Sequence, residues 1–154
     1  MNKTIVKDSE IVATRVFDAP RDLVWKAWTD PNHVILWWGP RGFTNTNQEM
    51  DVRPGGIWRF IMHGPDGRDY PNQITFIEVK KPELLVYKHG GAEEVEPVDF
   101  HVTVNFAEEG KNTKLTMRMV FSTAEELTRV EKEYGAIQGL KECMDRLGEY
   151  LAKM

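Results

Sequence analysis

The apolar residues that close the sequence recur at the spacing of an α-helix. They follow one another at intervals of 3, 4, 3, 4 and 3 residues, and they are Ile137, Leu140, Met144, Leu147, Leu151 and Met154. Charged residues such as Lys141, Asp145 and Glu149 occupy the other sides. A helix with this pattern buries one face against an apolar partner. The rest of the chain must therefore supply a surface that covers this face.

The middle of the sequence predicts such a surface, because apolar and polar residues alternate there. Six runs with a period of two residues lie between positions 43 and 121, separated by turn signals such as Pro-Gly-Gly at 54–56 and Pro-Asp-Gly at 65–67. This alternation is typical of strands with one buried face. The Pro-Asp-Gly turn favours a hairpin. An earlier run over residues 9–18 predicts one more strand.

Two short helices are predicted between this first strand and the other six. Residues 18–20 (Asp-Ala-Pro) supply a polar cap and an early proline, and residues 29–31 (Thr-Asp-Pro) repeat the signal. A capping-box pattern at 122–126 opens a further helix. The order predicts an α+β fold with helices on one face of an antiparallel sheet. Since no repeat or linker divides the sequence, we expect a single domain over residues 1–154.

Composition excludes several classes of protein. A hydrophobic fraction of 41% with 10% aromatic residues is too high for a disordered chain. The 20 basic and 24 acidic residues give a net charge of −4, so nucleic-acid binding is not expected. Neither a membrane span nor the apolar core of a signal peptide is found, and we expect a soluble cytoplasmic protein. The oligomeric state stays open.

The sequence is rich in bulky side chains, with 5 Trp, 7 Phe and 7 Met. Alternation places most of them on the inner strand faces, and two interpretations remain open. They either fill a core or line a pocket for an apolar ligand, to which flexible methionines adapt well. Trp37 and Trp38 are neighbours before a Gly-Pro pair. Two adjacent indoles are not expected to face one core, so one of them is expected at a cavity mouth.

Patterns for catalysis and metal binding are weak. The four histidines have no metal-ligand spacing, and the single cysteine, Cys143, excludes a disulfide framework and is expected to be a structural thiol. No metal, cofactor or catalytic residue is therefore assigned. Asp99 and His101 share a strand face opposite the apolar one, so a solvated pair is expected. Within an apolar cavity the ionisable candidates are Tyr87 and His89.

Several strings resemble one known family. Residues 15–40, from Arg-Val-Phe-Asp-Ala-Pro to Trp-Trp-Gly-Pro, resemble the opening of the AHSA1-like proteins, relatives of the activator of Hsp90 ATPase. Residues 51–60 (Asp-Val-Arg-Pro-Gly-Gly-Ile-Trp-Arg-Phe) and 64–67 (Gly-Pro-Asp-Gly) are similar to its second signature. The resemblance covers roughly residues 8–153. It places the chain in the START-like superfamily, also called SRPBCC or Bet v 1-like.

This resemblance implies a helix-grip fold, in which a curved antiparallel sheet wraps around a long C-terminal helix and two short helices follow the first strand. It also implies an interior cavity that takes hydrophobic small molecules. We therefore predict binding of an unidentified apolar or aromatic small molecule. The predicted lining residues are Trp37, Trp38, Trp58, Phe60, Met62, Ile74, Phe76, Leu85, Tyr87, Phe100, Val102, Val104, Met117, Met119, Leu140 and Met144.

Two other functions fit the same fold. One is a cyclase or hydrolase that acts on a hydrophobic substrate, and the other is a protein-interaction module for a chaperone or a second copy of the chain. The Hsp90 activator joins this domain to a separate N-terminal domain, for which this sequence has no residues. We therefore do not expect it to stimulate a chaperone ATPase.

Overall fold

Strands and helices follow one another in nearly the predicted order. The computed structural model describes residues 2–154. The elements are β1 Lys3–Lys7, β2 Glu10–Phe17, α1 Arg21–Thr29, α2 Pro31–Val34, β3 Thr44–Met50, β4 Ile57–His63, β5 Asp69–Lys80, β6 Leu84–Gly90, β7 Asp99–Glu109, β8 Asn112–Phe121, α3 Ala124–Tyr134 and α4 Ala136–Leu151. The six strands predicted after the two short helices are all present, which confirms the α+β class.

All eight strands form one antiparallel sheet in the order β1-β2-β8-β7-β6-β5-β4-β3. Five of the six strands after the helices pair with the strand that follows them, as short turns require. The exception is β8, which pairs with β2 as well as β7, with Ile11 opposite Met119. The second and the last strand of the chain thus lie side by side in the sheet, and α4 lies against its inner face. This is the helix-grip arrangement.

Strand β1 is missed by the sequence analysis, and the prediction that the helices follow the first strand is wrong. They follow the second. The strand has only five residues and pairs with β2 alone. Ile5 and Val6 are both exposed, so β1 has no buried face and no alternation that would identify it.

The C-terminal helical region consists of two helices, α3 and α4. Thr123 caps α3 as the capping box predicts, its Oγ1 accepting a hydrogen bond of 3.0 Å from the Glu126 amide. Gly135 then adopts a left-handed conformation with φ of 64° and ends α3, a geometry that glycine adopts without strain. Helix α4 buries the predicted stripe from Leu140 to Leu151, whereas Met154 lies beyond the helix and is 40% exposed.

A tryptophan cluster joins α1 to the segment after α2. The ring of Trp28 lies 5.1 Å from that of Trp37 and 5.9 Å from that of Trp38, both edge-on. The Trp37 indole N–H donates to the Ala27 carbonyl over 3.0 Å. The expectation that Trp37 and Trp38 cannot share one core is therefore wrong, because both are buried around the same third indole. Edge-to-face geometry makes this favourable.

The face assignments made from alternation are confirmed. Trp58 and Phe60 are buried on β4, and the same holds for the apolar positions of β7 and β8. Asp99 and His101 are exposed on the outer face, as expected for a solvated pair. Within the described chain, no helix is long and apolar enough to cross a membrane.

Candidate functional site

A cavity of about 260 Å³ lies between the inner face of the sheet and the first turns of α4. Strands β4 to β8 form its wall on one side, and α3, α4 and the segment from Trp38 to Phe43 form the other. Most of its lining is apolar. The cavity thus occupies the position between sheet and helix that the sequence analysis proposed for a ligand.

The sixteen predicted lining residues divide into two groups. Seven of them border the cavity: Trp38, Met62, Tyr87, Phe100, Met117, Met119 and Leu140. The other nine pack in the surrounding core, away from this cavity, and all are at most 2% exposed: Trp37, Trp58, Phe60, Ile74, Phe76, Leu85, Val102, Val104 and Met144. Each interpretation therefore applies to a part of the bulky residues, because some fill a core and others surround a void.

Some lining residues come from loops and strand ends and were not predicted from the sequence. Phe43 and Tyr70 add aromatic rings 5.7 Å apart, and Tyr134 adds a third from the end of α3. Polar members are Asn72, Glu96 and Glu133. Loop residues carry no periodic signal, and Asn72 interrupts the apolar pattern of β5. Only the turn signals around residues 65 and 91 could have indicated that chain segments converge here.

Small residues at the start of α4 and the glycine before it explain why this space is not filled by side chains. Gly135, Ala136 and Gly139 line the cavity and extend little or nothing into it. At Gly139 an added Cβ would lie 3.2 Å from the Pro40 ring, so the helix and the loop approach closely there. Bulky residues at these helix positions would close the gap between α4 and the sheet.

The loop from Trp38 to Pro40 is tied to α4 by hydrogen bonds. The Arg146 guanidinium donates to the carbonyl oxygens of Trp38, Gly39 and Pro40 over 3.1, 3.0 and 3.0 Å. The Gly39 amide donates to Cys143 Sγ over 3.3 Å. Trp38, whose ring lies 4.8 Å from that of Trp58, is therefore held as a fixed part of the cavity wall.

A polar pair lies within the otherwise apolar wall. His89 Nε2 lies 2.8 Å from Asn72 Oδ1, and Asn72 Nδ2 donates to the Tyr70 carbonyl over 2.9 Å. The second bond orients the amide, so its oxygen faces the imidazole and the proton resides on His89 Nε2. The ring stacks on Phe100 with centroids 4.9 Å apart. Burial lowers the pKa of His89 to about 4, which keeps the ring neutral.

The buried imidazole predicts a loss of stability in mild acid. The unfolded chain binds this proton near the ordinary pKa of 6.5, whereas the folded protein binds it only near 4. The contribution of neutral His89 to the free energy of unfolding is therefore fully present above pH 6.5 and is lost as the pH drops towards 4. We expect the free energy of unfolding to fall by about 2 kcal/mol. This is less than the full difference in pKa corresponds to, because the His89 ring keeps partial exposure. Urea unfolding across this range measures it.

His89→Phe is the matched variant for this prediction. The phenyl ring can still stack on Phe100 but does not titrate, so the profile between pH 6.5 and 4 should flatten even though Asn72 loses its partner. An unchanged slope in this variant would assign the acid sensitivity to other groups.

Two further titratable groups of the wall are neutral as well. Burial, with a smaller effect of nearby Cys143, raises the pKa of Tyr87 far above its ordinary value. Burial also raises the pKa of Cys143 to about 11, against the opposing effects of the Gly39 amide and Arg146. The Tyr87 hydroxyl is buried and makes no hydrogen bond to any residue between 2 and 154.

Removal of this hydroxyl is expected to stabilise the protein. A buried hydroxyl without a partner costs about 1–3 kcal/mol, so Tyr87→Phe should raise the free energy of unfolding by about 1 kcal/mol. Chemical denaturation of the ligand-free protein measures the change. Destabilisation by the same amount would mean that the hydroxyl has a partner in solution.

A charged clasp of three residues, Arg68, Glu96 and Tyr134, lies at the cavity rim. Arg68 donates to Glu96 Oε1 over 2.8 Å, and the Tyr134 hydroxyl lies 3.4 Å from the same oxygen. The Arg68 guanidinium also lies 4.4 Å above the Tyr70 ring. The clasp connects the end of α3 to the β4–β5 hairpin and to the loop before β7.

A second polar group lies on the outer face of the sheet. Thr46 Oγ1 is 2.7 Å from His63 Nε2, and His63 Nδ1 is 2.7 Å from Asp69 Oδ1. The order hydroxyl–imidazole–carboxylate resembles a nucleophilic triad. However, Thr46 is exposed and the Asp69 side chain is 64% exposed, so water surrounds the group and competes for its hydrogen bonds. Residues 2–154 hold no cluster of three potential metal ligands.

Solved structures from several bacteria share this architecture. A protein from Arthrobacter aurescens has a TM-score of 0.89 at 24% identity, covering 100% of this chain and 92% of that one. One from Rhodobacter sphaeroides has a TM-score of 0.85 at 22% identity, covering 100% and 99%. The AHSA1 protein from Silicibacter pomeroyi has a TM-score of 0.75 at 19% identity, covering 94% and 98%. At these identities the similarity establishes the fold.

The family assignment rests on a match over most of the chain. The model of the family described as activator of Hsp90 ATPase homolog 1-like protein matches residues 18–152. No curated protein matches the sequence. The match covers the second signature and all but the first three residues of the opening string, and it confirms the resemblance. The fold is that of a ligand-binding or interaction domain. The chain therefore belongs to the family of activator of Hsp90 ATPase homolog 1-like proteins.

Proposed function

We propose that the protein binds an apolar or aromatic small molecule in the cavity between sheet and α4. The observation that carries the proposal is the lining itself. Aromatic rings and methionines surround about 260 Å³ of space, and the polar groups among them are few. Ligand sites in proteins have this character, mostly apolar with a small number of placed polar groups.

The size of the cavity limits the ligand. Its volume is slightly below the range of ~300–1,000 Å³ that is typical of pockets for drug-sized molecules. A compound of one or two rings fits such a space, whereas a long acyl chain does not. Trp38 and Phe100 supply flat aromatic walls, and Met117 and Met119 supply adaptable ones.

Binding is favoured over catalysis by the protonation states of the wall. The Tyr87 hydroxyl and the Cys143 thiol stay protonated at neutral pH, because burial raises both pKa values. Neither is activated as a nucleophile or base. His89 has a pKa of about 4 and is a weak base, far from the value near the working pH that suits proton transfer.

An interaction module has less support. The exposed large hydrophobic residues within 2–154 are few: Ile5, Val6, Leu36, Ile77 and Met154. They do not form one patch, because β1 is an edge strand and Ile77 lies on β5, the sixth strand in the order. Isolated exposed apolar residues are normal on protein surfaces.

Tryptophan fluorescence tests the proposal. Trp38 borders the cavity, so binding of a ligand such as menthol or toluene should change the tryptophan emission in a saturable manner. The tryptophans are excited at the red edge of their absorption band. Trp38→Phe should remove most of the change and identify its origin. A panel of uncharged one- and two-ring compounds that never changes the emission would contradict the proposal.

A further inference from the structure

One residue of the cavity wall, Tyr87, carries a buried polar atom that has no hydrogen-bond partner among residues 2–154. Three buried side-chain atoms within residues 2–154 lack a hydrogen bond: Asn45 Oδ1, Arg59 Nε and the Tyr87 hydroxyl. Of their residues only Tyr87 borders the cavity, and it is 1% exposed. Buried polar groups nearly always have a partner, and an unpaired one in a folded protein requires an explanation.

The neighbouring wall residues do not offer Tyr87 an acceptor. The acceptor of Asn72, its Oδ1, is paired with His89 Nε2, and Asn72 Nδ2 donates to the Tyr70 carbonyl. Cys143 Sγ already accepts from the Gly39 amide. The other nearby lining is hydrocarbon or thioether, which accepts hydrogen bonds poorly. A partner for the hydroxyl must come from outside the chain.

The wall also carries no free charge. The rim carboxylates are paired, Glu96 with Arg68 and Glu133 with Arg129, each over 2.8 Å. The guanidinium of Arg146 is occupied by the carbonyl oxygens of the loop from Trp38 to Pro40. An ionised ligand inside the cavity would therefore lack a counter-ion, and burial of an unpaired charge is strongly unfavourable.

We propose that the ligand is an uncharged ring compound with an oxygen that accepts a hydrogen bond from the Tyr87 hydroxyl, an inference that rests on the cavity being the binding site proposed above. Aromatic ketones, esters and ethers have this chemistry. Hydrocarbons lack the acceptor, and carboxylates carry a charge that the wall does not neutralise. The phenol, which finds no acceptor among residues 2–154, is paired by the ligand oxygen in the complex.

Three probes of one ring and similar shape test this inference: acetophenone, cumene and benzoate. Acetophenone has the acceptor, cumene has an isopropyl group in its place, and benzoate carries the charge. NMR titration gives the dissociation constant of each for the wild type, for Tyr87→Phe and for Tyr150→Phe. Tyr150 pairs with His33 outside the cavity, so its variant controls for loss of a tyrosine hydroxyl.

Tyr87→Phe should weaken acetophenone about threefold to tenfold, the range of one neutral hydrogen bond. Cumene should bind both proteins equally, benzoate should bind more weakly than acetophenone, and Tyr150→Phe should change nothing. Equal effects of Tyr87→Phe on acetophenone and cumene, or benzoate binding as tightly as acetophenone, would overturn the inference and leave cavity binding intact. Failure of both uncharged probes to bind the wild type would instead contradict the proposed function.

Discussion

Trp28→Ala should lower the free energy of unfolding by about 3–5 kcal/mol. Trp28 is 2% exposed, and its indole contacts those of Trp37 and Trp38 and the ring of Phe106, with the last centroid 5.8 Å away. Its removal leaves a void among these three aromatic side chains that the surrounding backbone cannot close. Native domains have a total stability of about 5–15 kcal/mol, so this single change removes a large part of it.

Leu36→Ala is the matched control for this prediction. Leu36 belongs to the segment that follows α2, and it is 57% exposed. Its truncation should change stability by less than about 0.5 kcal/mol. Urea unfolding followed by circular dichroism compares the two. A loss below about 1 kcal/mol for Trp28→Ala would contradict the view that the cluster is a packed core.

Ala136→Phe should weaken ligand binding strongly while the protein stays folded. Ala136 lies in the first turn of α4 and borders the cavity, and it is only partly buried. A phenyl group there occupies the space left by the small residues of the helix, so the dissociation constant of acetophenone should rise at least about tenfold. Because the void accepts the ring, overpacking strain stays small.

Gln138→Phe provides the control on the same helix. Gln138 is exposed and does not border the cavity, so the same new side chain should leave the affinity unchanged. Thermal unfolding of both variants verifies that they remain folded. Ala136→Phe with wild-type affinity would show that the ligand binds elsewhere.

The fold could be predicted because local patterns and global packing agree in this chain. The 3.6-residue period of α4 and the two-residue period of β4 to β8 each identify a buried face, and the caps at Asp30 and Thr123 identify helix starts. The exceptions are elements that bury little. Strand β1 lies at an edge with exposed side chains, so no face preference marks it.

The cavity could be predicted only in outline. Alternation assigns Phe60 and Phe100 to the same inner face, but Phe60 is enclosed by Trp58 and Trp38 whereas Phe100 borders the void. The difference depends on where α4 separates from the sheet, which is a property of three-dimensional packing. The unpaired hydroxyl of Tyr87 could not be predicted for the same reason, because the sequence does not reveal which neighbours lie within hydrogen-bond distance.

Methyl NMR spectroscopy tests the central claim, that the cavity takes a small uncharged ligand, most directly. The methyl groups of Met62, Met117, Met119 and Leu140 border the cavity, and those of Ile5 and Ile77 lie on the exposed surface. Titration with acetophenone should shift the first group in a saturable manner with one dissociation constant and leave the second unchanged. Shifts that do not saturate, or that are confined to the exposed methyl groups, would contradict the claim.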